Sequence, residues 1–230
     1  PEGRSKEPTL TAGSLAADDK GHVFVAPDAV WTDGSWRLSD GKADYYCDSQ
    51  SGRLGVSPDG STGFSRESKI MKTSFTDSGC TSEEWKPAGL TDPGDAYVLQ
   101  DTVYVAMENG KELHPFDYDG KPKGAKLGSK DLGLSVPGNI CSAFGVGAGS
   151  TSTVVVDYNC RQLVFFANDG KPLGDSVSMS KLFGVNYLTV AGFTRIANGV
   201  AFLSFTHERG EKPGDEGNLH QGFIVRLSGL

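Results

Sequence analysis

The segment PFDYDGKPKG, residues 115–124, returns as FFANDGKPLG at residues 165–174. Phe116, Asp119, Gly120, Lys121, Pro122 and Gly124 recur as Phe166, Asp169, Gly170, Lys171, Pro172 and Gly174. A chain that writes one turn twice at such a spacing is building one supersecondary unit repeatedly. The unit is a β-unit. Asp-Gly and Asn-Gly pairs tolerate positive φ at the centre of a tight turn, and such turns join antiparallel strands.

Extending the two copies outward gives the same plan. DAYVLQDTVYVAMENGKELHPFDYDGKPKGAKL reads as strand, tight turn, strand, Asn-Gly turn, strand, Asp-Gly turn and a weaker outer strand. ICSAFGVGAGSTSTVVVDYNCRQLVFFANDGKPLGDSV follows it, with Asn159-Cys160 in place of Asn-Gly. A third copy, from Tyr187 to Gly229, carries a long insertion between its second and third strands. Earlier, GRLGVSPDGSTGFSRESKIMKTSF and HVFVAPDAVWTDGSWRLSDGK give shorter runs with Asp59-Gly60 and Asp40-Gly41 turns. Few windows place apolar residues at i, i+3, i+4 and i+7, so helix is scarce. The units recur at about 40–50 residues, the period of blades and arrays.

A four-stranded antiparallel unit of that length resembles the blade of β-propeller repeat proteins in general. The resemblance spans residues 9–230. It rests on Asp-Gly-Lys after an aromatic strand (Phe116, Phe166) and on Ser57-Pro58-Asp59-Gly60. No Trp-Asp, kelch or Asp-box signature is present to name a family. The resemblance implies an all-β chain: a single five-bladed β-propeller with four-stranded antiparallel blades. The last copy stops after its third strand, so the N-terminal strand PTLTAGSLA, residues 8–16, is expected to close the ring. A β-sandwich, the other candidate, does not predict a blade-length repeat.

Composition limits the partners. Net charge is −7 and no Lys/Arg run occurs. That excludes nucleic-acid binding through phosphates and disfavours an anionic membrane surface. No apolar stretch approaches the roughly 20 residues of a transmembrane helix. The four cysteines, Cys47, Cys80, Cys141 and Cys160, form no CxxC pair and have no histidine at zinc-finger spacing. Their even count and wide spacing favour two disulfides. Of three pairings, Cys47–Cys80 and Cys141–Cys160 are preferred because each stays local, and each contributes on the order of 2–4 kcal/mol. Disulfides imply an oxidising compartment. Residues 1–8, PEGRSKEP, read as a flexible polar tether. The expectation is an exported, secreted or envelope-bound bacterial protein, its signal segment removed and a lipid anchor lying upstream of residue 1.

The chemistry-bearing residues are few. His207, Glu208, Glu211, Asp215, Glu216 and His220 occupy the longest charged loop. They match no metalloprotease pattern and read as a solvated loop that touches a partner. Asp117-Tyr118-Asp119-Gly120 lacks the later ligands of a calcium loop. Trp31, Trp36 and Trp85 are candidates for an aromatic binding surface, or for packing between blades. Asp95, Asp101 and Asp157, near the ends of predicted inner strands, are candidate carboxylates for glycoside hydrolysis; each is equally a turn cap. The Gly-rich run 144–152 lacks the Lys-Ser/Thr of a phosphate loop. No metal or cofactor is called for. The expected function is a non-catalytic binding scaffold for an envelope protein or glycan. The alternative is a carbohydrate-active hydrolase of the cell envelope.

Overall fold

The computed structural model describes residues 12–27, 35–47, 54–66, 68–129, 136–148, 152–183, 189–193, 200–209 and 219–228. The chain divides into two compact units. One is Pro1–Val105 with Pro115–Lys123, the other Ala106–His114 with Gly124–Leu230. The predicted tether, residues 1–8, lies outside the described residues.

Five sheets follow one another along the chain in a β-propeller arrangement. The first holds β1 (Ala12–Ala17), β2 (Val23–Pro27), β3 (Ser35–Ser39) and β4 (Lys42–Cys47), in that order. The second holds β5 (Leu54–Val56), β6 (Thr62–Arg66), β7 (Ile70–Phe75) and β8 (Cys80–Glu84). The third holds β9 (Ala96–Leu99), β10 (Thr102–Met107), β11 (Glu112–Phe116) and β12 (Leu127–Gly128). The fourth holds β13 (Ala143–Ala148), β14 (Ser152–Asp157), β15 (Gln162–Ala167) and β16 (Val177–Ser178), with α1 (Met179–Phe183) after it. The last holds β17 (Thr189–Phe193), β18 (Val200–Arg209) and β19 (Leu219–Ser228).

The expected number of blades is corrected. Among the described residues the propeller shows four blades of four strands rather than five, the last sheet having three strands. Its residues go instead into two ten-residue strands. Closure of the ring by the N-terminal strand is not seen among the described residues. β1 pairs antiparallel with β2 inside the first sheet. The physical reason is the turn between them, where the Asp18 carboxylate accepts the backbone N–H groups of Lys20 and His22, each at 2.9 Å. An Asx turn of this kind reverses the chain at once, so β1 finds a local partner.

Sequential strands form the blades because turn chemistry recurs at their joints. Asp40 and Gly41, between β3 and β4, take φ of 49° and 73°. Gly60 takes φ of 71° after Ser57-Pro58-Asp59. The Asp59 carboxylate there accepts the Ser57 hydroxyl at 2.6 Å and the Ser61 N–H at 3.0 Å. The Ser57 hydroxyl, followed by the Ser61 N–H and hydroxyl, holds the Asp59 carboxyl below its ordinary range.

In the first unit, Phe24, Ala26, Cys47, Leu54, Val56 and Phe75 pack as one buried cluster drawn from the first two sheets. The Phe24 and Phe75 ring centroids are 4.7 Å apart. Burying side chains of this size contributes about 1.5–3 kcal/mol each. The first strands of successive sheets neighbour one another, β1 with β5 and β5 with β9. A Cβ at Gly55 would stand 2.9 Å from the Val98 nitrogen, so only glycine allows that approach. All four residues of β9 are buried. In the second unit, Val154, Val155 and Val156 of β14 are buried with Leu163, Val164 and Phe166 of β15.

The repeated turn is one structure built twice. Phe116 bridges to Pro122 and Phe166 to Pro172. The carbonyl of Lys121 accepts the Asp117 N–H at 2.9 Å, and that of Lys171 accepts the Ala167 N–H at 2.8 Å. Gly120 and Gly170 adopt φ of 81° and 83°. Each turn leans on chain from the preceding sheet: Gly120 against Pro87, Gly170 against Ala125 and Lys126.

Candidate functional site

The charged segment 207–220 is only partly a loop. His207, Glu208 and Arg209 belong to β18, and Leu219 and His220 to β19. The register sets His207 opposite Gln221, Glu208 opposite His220, and Arg209 opposite Leu219. The two histidines are therefore one register step apart. Glu211, Asp215 and Glu216 lie outside the described residues. β17 pairs with β18 from Phe193–Leu203 to Thr189–Thr206 and no further. Among the described residues, 207–209 thus pair with β19 alone.

The aromatic candidates separate. Trp31 lies outside the described residues. Trp36 sits half-buried in β3, opposite Val25 and Tyr46. Trp85 is not a surface residue: it is buried. Its ring meets Phe64 edge-on at 5.0 Å and Phe116 at 6.0 Å. Its Nε1–H donates to the Tyr118 carbonyl at 3.1 Å, so its one polar atom is satisfied. Trp85 is the aromatic seat of the first repeated turn.

The carboxylates read as structural anchors. Asp157, last in β14, is completely buried. One of its oxygens accepts the Ser142 N–H at 3.0 Å and the Cys160 N–H at 3.3 Å. The other accepts the Cys141 N–H at 2.8 Å and Gln162 Nε2 at 2.9 Å. A carboxylate offers about four lone-pair positions, and these donors fill them. Asp157 is thus committed to holding two chain segments. Asp101 is exposed and pairs with Lys123 Nζ at 2.6 Å. The Lys123 ammonium, the leading cause, holds the Asp101 carboxyl below the ordinary range. Asp95 lies 4.0 Å from Arg66. Asp117 Oδ1 accepts the N–H groups of Asp119 and Lys121, both at 2.9 Å, which is turn chemistry rather than calcium ligation.

Both disulfides join the expected partners. Cys47–Cys80 links β4 to β8 across a Cα separation of 6.0 Å. Cys141–Cys160 links the run into β13 to the β14–β15 turn across 5.7 Å. Cys141, Asp157 and Cys160 also place three potential metal-ligand atoms within 4.8 Å of one another. The disulfide occupies both sulfurs and the four donors occupy the carboxylate, so this cluster does not fit an ion.

Two ordered histidine–carboxylate pairs carry no sequence signal of their own. His22 Nδ1 meets the buried Asp18 carboxylate at 2.6 Å. His114 Nε2 meets Glu112 at 2.9 Å, two residues away on the same face of β11. Asp–x–x–x–His across a turn and Glu–x–His in a strand are common spacings; only the fold makes them pairs.

No protein-family model and no curated protein sequence matches the chain. Solved structures do. The chain is similar to the streptogramin B lyase structure at 14% identity, TM-score 0.57, over 95% of this chain and 70% of that one. It is similar to the glutaminyl cyclase of Myxococcus xanthus at 11% identity, TM-score 0.55, over 95% and 92%. A protein of unknown function from Bacteroides caccae matches at 14% identity, TM-score 0.61, over 94% and 77%. At these identities the likeness carries the β-propeller fold and no activity.

Proposed function

We propose that the chain is an extracytoplasmic binding scaffold whose recognition element is the β18–β19 ribbon and whose partner is a protein of the cell envelope. The ribbon is the observation that carries this reading. β18 and β19 have ten residues each, against two to six in the other strands. Their far end pairs on one side only among the described residues. A strand edge of this kind can seat an extended segment or a complementary surface. The two disulfides support an oxidising compartment, and residues 1–8 would serve as the tether to an anchor upstream.

The test is a chain in which residues 210–218 are replaced by Asn-Gly. It should lose capture of a partner from envelope extracts that the intact chain retains, with thermal unfolding shifted by no more than about 2 °C. Equal capture by both chains sinks the assignment of the ribbon.

The hydrolase reading draws on the candidate carboxylates Asp95, Asp101 and Asp157. It is weakened by Asp157, whose carboxylate is already filled by four structural donors. Turnover by the intact chain on a glycan panel would replace the scaffold reading with that one.

A further inference from the structure

The segments joined by Cys141–Cys160 are held together a second time, without sulfur. Asp157 binds the backbone N–H groups of both cysteines, at 2.8 Å for Cys141 and 3.3 Å for Cys160. The Tyr158 N–H donates to the Ser142 carbonyl at 2.8 Å. Gln162 Nε2 reaches both Asp157, at 2.9 Å, and the Asn139 carbonyl, at 3.1 Å. Opening the disulfide would remove one covalent link from a knot whose hydrogen bonds remain. Hydrogen bonds to a charged acceptor are the strong kind.

Access differs between the two disulfides. Cys141 and Cys160 are both partly exposed. Cys80 is partly exposed as well, but its partner Cys47 is 1% exposed inside the apolar cluster of Phe24, Leu54, Val56 and Phe75. Exchange needs a thiolate to reach one sulfur while the other leaves as a thiolate. A thiolate leaving from Cys47 would be stripped of solvent in that cluster, which opposes the step.

We infer that Cys141–Cys160 is a reversible redox couple that cycles in the folded protein with a dithiol partner, while Cys47–Cys80 is a fixed structural link. In the reducing direction a thiolate of the dithiol attacks one sulfur of the pair. The Cys141–Cys160 bond breaks, a mixed disulfide forms, and the freed cysteine sulfur takes a proton from solvent. The partner's second thiol gives up its proton, and the resulting thiolate attacks the partner's own sulfur in the mixed disulfide; the cysteine it displaces takes up a proton. The remaining cysteine is released and the partner leaves as a disulfide, two electrons having passed to this chain. Asp157 acts as a positioning residue: it keeps the two cysteines at bonding distance, ready to re-form the bond.

The experiment uses the intact chain, without denaturant, and dithiothreitol as the dithiol. Timed samples are alkylated and mapped by peptide mass. Cys141 and Cys160 should be modified at least tenfold faster than Cys47 and Cys80. Near-ultraviolet circular dichroism should be retained in the singly reduced protein, and oxidised glutathione should restore the bond. A Cys141→Ser/Cys160→Ser chain should give the same spectrum. Equal rates for the two disulfides overturn the inference. So does faster reduction of Cys47–Cys80, loss of the near-ultraviolet signal when only Cys141–Cys160 opens, or failure of the double variant to reach the native spectrum.

Discussion

The turns at 115–124 and 165–174 share a backbone and differ in what they rest on. The first sits in an aromatic nest. Phe64, Trp85 and Phe116 surround it, the Tyr118 ring lies 5.4 Å from Phe64, and the Tyr118 hydroxyl donates to the Gln100 carbonyl. The Tyr118 carbonyl is held by Trp85 Nε1 at 3.1 Å and Lys72 Nζ at 2.9 Å. The second turn rests on small residues. Gly170 closes on Ala125 and the Lys126 carbonyl, and Pro172 lies over Gly138. The repeat therefore preserves how the chain reverses and lets each blade choose its own filling. One turn is stabilised by buried area, the other by close fit.

The largest effect should come from emptying the aromatic nest. Trp85→Ala removes two ring contacts and a satisfied indole N–H, and should cost about 3–5 kcal/mol in urea unfolding. Trp85→Phe keeps much of the packing and the Lys72 bond to the Tyr118 carbonyl, and should cost roughly 1–2 kcal/mol for the lost indole hydrogen bond and the smaller ring. A loss below about 1 kcal/mol for Trp85→Ala would break the contrast, because the first turn would then not depend on its seat.

Close fit is probed by the glycines. Gly120→Ala and Gly170→Ala both force an L side chain into positive φ, which costs about 1–2 kcal/mol. Their surroundings differ. A Cβ at 170 would meet the Ala125 Cβ at 2.7 Å and the Lys126 carbonyl oxygen at 2.9 Å, whereas one at 120 meets the Pro87 Cα at 3.0 Å. Gly170→Ala should therefore be the more damaging by roughly 1 kcal/mol. Equal losses would mean that backbone strain alone decides both sites.

The capping carboxylate also differs. Asp117 caps the first turn through two backbone N–H groups. The matching position in the second is Ala167, and Asp169 itself caps Lys171 at 3.1 Å. Asp117→Ala should cost about 0.5–1.5 kcal/mol. Ala167→Asp should return less than that, since Asp169 already supplies one bond and a like charge nearby. A gain at 167 as large as the loss at 117 would show the two turns to be interchangeable.

These differences mark how far the sequence could be read. The strand–turn order around β10, β14 and β15 was legible, because β-branched runs end in turn residues whose positive φ is chemically demanded. Disulfide pairing was legible because each partner is local. Trp85 was ambiguous, since an exposed platform and a buried filler use the same residue. The pairing of β1 was hidden because the Asp18 turn uses Asp-Asp-Lys-Gly, whose capping bonds appear only once His22 folds back. Asp157 was noticed as a carboxylate at a strand end. Its role was not, because its four donors come from residues 141, 142, 160 and 162, which only the hairpin brings together.

The smallest effect lies in the second turn's charge. The Lys171 ammonium, aided by the Lys171 backbone N–H, holds the Asp169 carboxyl below the ordinary range, and Asp169 in turn raises Lys171. A carboxyl lowered in the folded state stabilises the fold at pH values above its unfolded value, about 3.9. That contribution fades as pH falls through the lowered folded value. Both side chains are exposed, their ammonium and carboxylate 2.9 Å apart, so salt should screen the pair. An NMR titration should place the Asp169 midpoint below the ordinary 3.8. Lys171→Met should move it upward, and ~0.5 M NaCl should move it part of the way. If Lys171→Met leaves the midpoint in place, the backbone N–H does the holding. The second turn would then be capped as the first is, by hydrogen bonds to the chain rather than by an ion pair.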